Sequence, residues 1–150
     1  MKRVTKYDVR LVKESASLYD YDEKKLNNPY AVSKLLNDIF DMECLCEEHF
    51  VMLALDAKLR VVGAFDIHTG TINGSLVSMR SLFSRAMLCN ANSIIVAHNH
   101  PSGVVSPSSE DIELTRRVKE AGEILDIKLT DHIIIGEEEN YYSFKREGIL

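Results

Sequence analysis

Ser93-Ile94-Ile95-Val96-Ala97-His98-Asn99-His100-Pro101-Ser102-Gly103 is a short apolar run that passes into two histidines and then into proline and glycine. Its first five residues are partly β-branched and read as a buried strand. Alternate strand residues point to one face, so His98 and His100 aim the same way and Asn99 the other. Pro101 and Gly103 then stop the strand and turn the chain. Two imidazoles are thus expected side by side at the end of a sheet, and Ser108 and Asp111 follow shortly after with a hydroxyl and a carboxylate.

The segments around this stretch fit a layered domain. Asn28-Pro29 is a helix start, with Asn as N-cap and Pro at the first helical position, and Val32, Leu35, Leu36, Ile39 and Phe40 follow as one apolar stripe. Phe50 to Leu55 is a near-continuous apolar run, as expected of a central strand covered on both faces. Asp56-Ala57-Lys58 turns the chain into a second strand, about Arg60 to Ile67. A third strand is expected over about Thr71 to Val77, entered at Gly70 and interrupted by Gly74. Ser78 caps a helix running to about Asn90, and the strand with the histidines follows. A long helix from about Ser109 to Leu125, a buried strand at Ile133-Ile134-Ile135 and a last strand at Tyr141 to Phe144 complete the pattern. Helices alternating with strands, some of them in a meander, indicate an α/β layered fold with a mixed sheet. Residues 1–27 form a polar extension, with Tyr7-Asp8-Val9-Arg10-Leu11-Val12 as a candidate edge strand, and residues 28–150 form the domain.

A chain of 150 residues is long enough to bury one proper core. No apolar run approaches the length of a bilayer span, so no membrane partner is expected. Met1 to Lys6 is basic with no apolar region behind it, which is not the pattern of a secretory signal. Cys44, Cys46 and Cys89 are an odd set and read as reduced thiols of a cytoplasmic protein. A net charge of −5 weighs against holding nucleic acid through phosphate contacts alone. Arg80, Arg85, Arg116, Arg117 and Lys119 read first as solvated helix faces.

Catalytic zinc takes three protein ligands and keeps a fourth position for water, whose pKa it lowers towards neutrality. His98, His100 and Asp111 supply a His₂Asp set of suitable hardness, the carboxylate coming from the first turn of the next helix. A further carboxylate is needed to move the water's proton to a leaving group. Each residue also has a plain structural role open to it. His-x-His on a strand can be two ordinarily hydrogen-bonded histidines, and Ser108-x-x-Asp111 fits a capping box. The cap does not explain the histidines, however, and the strand end does not explain Asp111, so jointly the set favours one zinc ion per chain. A zinc deaminase would need His-x-Glu and a later Pro-Cys-x-x-Cys. Position 100 is His and no Cys follows Cys89, which excludes it.

His98-x-His100-Pro101, followed by Ser108 and Asp111, resembles the motif of the JAMM metalloprotease family without a departure. Ala97 to Gly103 is similar to the bacterial RadC branch of that family. So are Ser106-Pro107-Ser108-Ser109-Glu110-Asp111-Ile112, Leu114-Thr115-Arg116-Arg117, Asp131-His132-Ile133-Ile134-Ile135-Gly136 and Tyr142-Ser143-Phe144. The similarity runs from about residue 28 to the C-terminus. It implies a three-layer JAB/MPN (cytidine-deaminase-like) fold, with His98, His100 and Asp111 as zinc ligands. It also implies Ser108 as hydrogen-bond donor to the tetrahedral intermediate. The general base of the family is a Glu two residues before a Phe at an early strand, which here is Glu48 before Phe50, with Glu47 as its neighbour and competitor. The implied activity is zinc-dependent hydrolysis of peptide or isopeptide bonds in a peptide or protein substrate.

Two departures stand out. Relatives of the RadC branch often carry an N-terminal helix–hairpin–helix segment, for which residues 1–27 are too short and too polar. The branch usually has His-Pro-Arg-Glu at the helix after the third strand, where this chain reads Ser78-Met79-Arg80-Ser81. The alternative function is a DNA-repair or DNA-processing accessory role, which belongs to the RadC label and which no residue here reads directly. A catalytically silent interaction module is a third reading, weakened because every motif residue is present. His68 reads as a solvated turn residue and His132 as a structural hydrogen-bonding residue; Asn99 and Ser102 read equally as backbone hydrogen-bonding residues of a turn or as residues that orient the loop or a ligand. The residues specify no leaving group and no oligomeric state.

Overall fold

The computed structural model describes residues 2–22, 26–72 and 77–150. Helix α1 (Pro29–Phe40) is followed by a short 3-10 turn (Met42–Cys44) and by strands β1 (His49–Leu55) and β2 (Val61–Thr69). Then come helix α2 (Met79–Leu88), strand β3 (Ser93–Asn99), helix α3 (Ser109–Ile124) and strands β4 (Lys128–Ile135) and β5 (Tyr141–Ser143). The five strands form one mixed sheet in the order β2-β1-β3-β4-β5. β3 and β4 are parallel, joined through α3, and the other neighbours are antiparallel.

Side-chain alternation divides the core into two. Val51, Leu53, Leu55, Ile95, Ala97, Ile133 and Ile135 pack with Val32, Leu35 and Leu36 of α1. On the other face, Phe50, Met52, Ala54, Ile94 and Val96 pack with Leu82, Phe83 and Ala86 of α2 and Leu114 and Val118 of α3. The architecture is therefore three-layer α/β/α, as expected. β1 and β3, in the middle, are buried on both faces, which is why they read as unbroken apolar runs. β2, at the edge, alternates in exposure.

The helix starts follow local chemistry. The Asn28 side chain accepts from Tyr30 N–H ahead of Pro29, and the Ser78 hydroxyl accepts from Ser81 N–H. Gly122 in α3 lies so close to the chain entering β4 that a Cβ there would sit 2.4 Å from the Ile127 carbonyl oxygen. The strand expected over Thr71 to Val77 falls largely outside the described residues, and its described ends, Thr71, Ile72 and Val77, carry no strand. The edge strand expected at Tyr7–Val12 is not formed. Residues 2–22 hold no regular element, and Tyr7, Val9 and Val12 are exposed. Alternation alone cannot hold a strand that neither pairs with a sheet edge nor covers a core. The extension meets the domain at Tyr21, which packs on the α1 face and accepts a hydrogen bond from Val61 N–H.

Candidate metal centre

β3 delivers its histidines as its alternation requires. His98 ends fully buried on the α2/α3 face, and His100 is the first residue past the strand. The His100 N–H still donates to the Ile135 carbonyl (2.9 Å), so the β3–β4 ladder fixes its backbone. Gly103, at φ +75°, closes the turn by donating to the His100 carbonyl. The turn then lies against the end of β4, where a Cβ on Gly136 would stand 2.6 Å from the Gly103 carbonyl oxygen. His100 Nδ1 sits 2.6 Å from the Val104 carbonyl, an acceptor only, so that nitrogen carries a proton and Nε2 is the nitrogen turned towards His98 and Asp111.

Asp111 enters from the first turn of α3. Its carboxylate is divided between two tasks. Oδ2 accepts from both the Ser108 N–H and the Ser108 hydroxyl at 2.7 Å, and the Ser108 oxygen accepts from Asp111 N–H, completing a capping box. Oδ1 faces the imidazoles, 3.2 Å from His98 Nε2. The cap and the candidate ligand are thus the same side chain used twice. His98 Nε2 and His100 Nε2 lie 3.0 Å apart, and His100 Nε2 is 3.5 Å from Asp111 Oδ2. One ligand atom from each of His98, His100 and Asp111 lies within 4.8 Å of the others, a grouping able to hold a metal ion.

Burial by itself would raise the Asp111 carboxyl, but hydrogen bonding to His100 and His98 outweighs it and holds the group well below the usual carboxylate range. The same contact with Asp111 raises His100 above its ordinary value against the opposing effect of burial, with a smaller contribution from the charge of Glu48. A buried, ionised carboxylate facing two imidazole nitrogens fits the donor preferences of Zn²⁺.

Behind His98 lies a polar group inside an otherwise apolar wall. His98 Nδ1 is 2.8 Å from His132 Nε2, and His132 Nδ1 is 2.6 Å from the Thr115 hydroxyl. The His132 ring stacks on Phe144, with centroids 4.7 Å apart, and meets the Phe50 ring edge-on. Burial pushes His132 well below the ordinary histidine value, so it is neutral. Asp131 supports this position from the strand itself: it accepts from His132 N–H, Lys145 N–H and the Ser143 hydroxyl. His132 therefore has the structural hydrogen bonds expected of it, and one of them reaches a candidate ligand.

The two glutamates before β1 separate clearly. Glu47 is exposed, whereas Glu48 is half-buried and its Oε2 accepts from Ile72 N–H at 2.7 Å. Asn99, on the opposite side of β3 from His98, holds this segment. Its Oδ1 accepts from His49 N–H (2.7 Å), and its Nδ2 donates to the carbonyls of Glu47 (3.0 Å) and Leu45. Asn99 therefore orients a loop, and the loop is the one that carries Glu48. His68 differs from expectation. It lies within β2, not in a turn, and its Nε2 is buried with no hydrogen-bond partner among the described residues. It pairs with Phe50, which pairs with His98, so the three share one face of the sheet.

Fold and site together define an α/β domain built around a candidate metal centre at the end of its central strand. A family model described as RadC-like JAB domain matches residues 26–149, and the chain belongs to that family. It is 46% identical over 130 residues to a UPF0758 protein of Staphylococcus haemolyticus, a match covering 86% of this chain and 56% of that protein. It is 44% identical over 125 residues to a UPF0758 protein of Desulfitobacterium hafniense, covering 83% of this chain and 54% of the relative. A UPF0758 protein of Clostridium botulinum is 44% identical over 129 residues, covering 86% and 55%. The chain thus spans about half the length of the curated relatives it matches. Among the described residues no helix is long and apolar enough to cross a membrane.

Proposed function

We propose that the chain is a zinc-dependent hydrolase of the JAMM type that cleaves peptide or isopeptide bonds in a peptide or protein substrate. His98, His100 and Asp111 would hold one zinc ion. The observation that supports this most strongly is the convergence of two imidazole nitrogens and one ionised carboxylate at a buried strand end. When bound, zinc lowers the pKa of a coordinated water and polarises a carbonyl.

The remaining work falls to the chain's own groups. Glu48 is the general base, taking a proton from the attacking water and passing it to the leaving nitrogen. Its hydrogen bond from Ile72 N–H fixes one carboxylate oxygen, and proton transfer is assigned to the other. Ser108 stands at the N-terminus of α3, where the helix favours negative charge, and donates to the developing oxyanion. Its hydroxyl is engaged with Asp111 Oδ2, so this role requires the hydroxyl to turn outward. Oδ2 then keeps its bond from the Ser108 N–H. Three free thiols, two of them exposed, favour a reducing compartment, and we place the chain in the cytoplasm.

The test compares wild type with Glu48→Gln on peptide, isopeptide and nucleic-acid substrates. Cleavage of an amide-linked substrate by wild type and not by the variant is the expected result. Cleavage of nucleic acid alone, or salt-dependent DNA affinity without amide hydrolysis, would favour the DNA-processing alternative instead.

A further inference from the structure

The polar chain behind His98 has a direction that its contacts determine. The Thr115 hydroxyl donates to the Asp111 carbonyl at 2.6 Å, so its proton is already placed. Towards His132 Nδ1 the Thr115 oxygen is therefore an acceptor, and Nδ1 of His132 carries the N–H. His132 Nε2 then presents a lone pair to His98 Nδ1. With Nε2 of His98 turned towards His100 and Asp111, its Nδ1 carries the N–H that this lone pair accepts. Each donor meets one acceptor, and the sequence His98 to His132 to Thr115 ends on the main chain of Asp111.

We infer that His132 and Thr115 are positioning residues that set the tautomer of His98 and lock it in register with Asp111. The inference rests on the zinc reading above. The chain crosses three elements. His98 is on β3, His132 on β4, and Thr115 lies one turn beyond Asp111 on α3. A shift of α3 against the sheet breaks it, so two ligands on different elements keep one separation. All members except Asp111's own carbonyl are side chains buried from water, so no solvent molecule replaces a lost partner from bulk. A neutral acceptor also fixes the ring without adding a second negative charge beside Asp111. Outer partners of this kind change metal affinity by about 10–100-fold when removed.

Zinc affinity is measured by competition with a chromophoric chelator in wild type, His132→Phe, His132→Gln and Thr115→Val, with folding checked by circular dichroism. Imidazole ¹⁵N–¹H spectra of the zinc-loaded wild type report which His98 nitrogen carries the proton. The expected affinities fall by about 10–100-fold in His132→Phe and by less in Thr115→Val. His132→Gln, whose amide oxygen replaces the accepting nitrogen, recovers part of the loss. The expected spectrum shows the His98 proton on Nδ1, protected from exchange. Wild-type affinity in a folded His132→Phe, no recovery in Gln relative to Phe, or a His98 proton on Nε2 would each overturn the relay. Wild-type affinity in Thr115→Val would do the same, and with the spectrum it decides the question if His132→Phe does not fold. If wild type itself binds no zinc, the metal reading falls together with the relay; if wild type binds and the variants bind equally, only the relay falls.

Discussion

His98 and Asn99 leave the end of β3 in opposite directions, and the two sides they enter are built differently. On the α2/α3 side, His98 joins His100, Asp111, Ser108, Thr115 and His132 in a connected polar group walled by Phe50 and Phe144. On the α1 side, Asn99 binds main-chain groups of residues 45–49 beside an aliphatic core. One side concentrates groups that can change protonation or hold a metal. The other uses Asn99 to position the segment that leads to Glu48. A single-residue shift of β3 would exchange the two sides, so the strand's register is as important to the proposed chemistry as the residues themselves.

Substitutions on the two sides should separate metal binding from turnover. Glu48→Gln has the largest expected effect on rate. It keeps the zinc and lowers hydrolysis by about 10²–10⁴-fold, the usual worth of a positioned base, as measured by zinc content beside steady-state kinetics. Asn99→Ala also keeps the zinc but loosens the Glu48 segment. It leaves His49 N–H unpaired, costs about 1–3 kcal/mol of stability in denaturant titration, and lowers turnover. Loss of zinc in that variant would show that the two sides are not independent. Ser108→Ala removes the helix cap and one donor to Asp111, a cost of about 0.5–2 kcal/mol, with a modest fall in zinc affinity by chelator competition. Arg116 sits on the exposed face of α3 between Glu113 and Glu120, away from both sides. Arg116→Ala should leave Tm and zinc content unchanged, because exposed ion pairs contribute little.

Much of this arrangement was legible in the sequence. The helix starts at Asn28-Pro29, Ser78 and Ser108 are local chemistry, and the structure has all three caps. The central strands declared themselves through unbroken apolar runs, and the face of His98 and His100 through strand alternation. The expected edge strand at Tyr7–Val12 failed because its alternation has no pairing partner to satisfy. Thr69-Gly70 has the composition of a turn, but β2 runs on to Thr69 beside β1 and so places His68 inside a strand. The contact between His98 and His132 spans 34 positions and was not legible, since it depends on the parallel β3–β4 pairing. The spacing of Asp111 and Thr115, one helical turn apart, was the available signal for half of that relay. The hold of Asn99 on residues 45–49 had no sequence signature at all.

The central claim is that His98, His100 and Asp111 form one zinc site. Elemental analysis of purified wild type beside His98→Ala/His100→Ala tests it directly. One zinc per chain in wild type and none above background in the variant is the predicted result; equal zinc in both would contradict it.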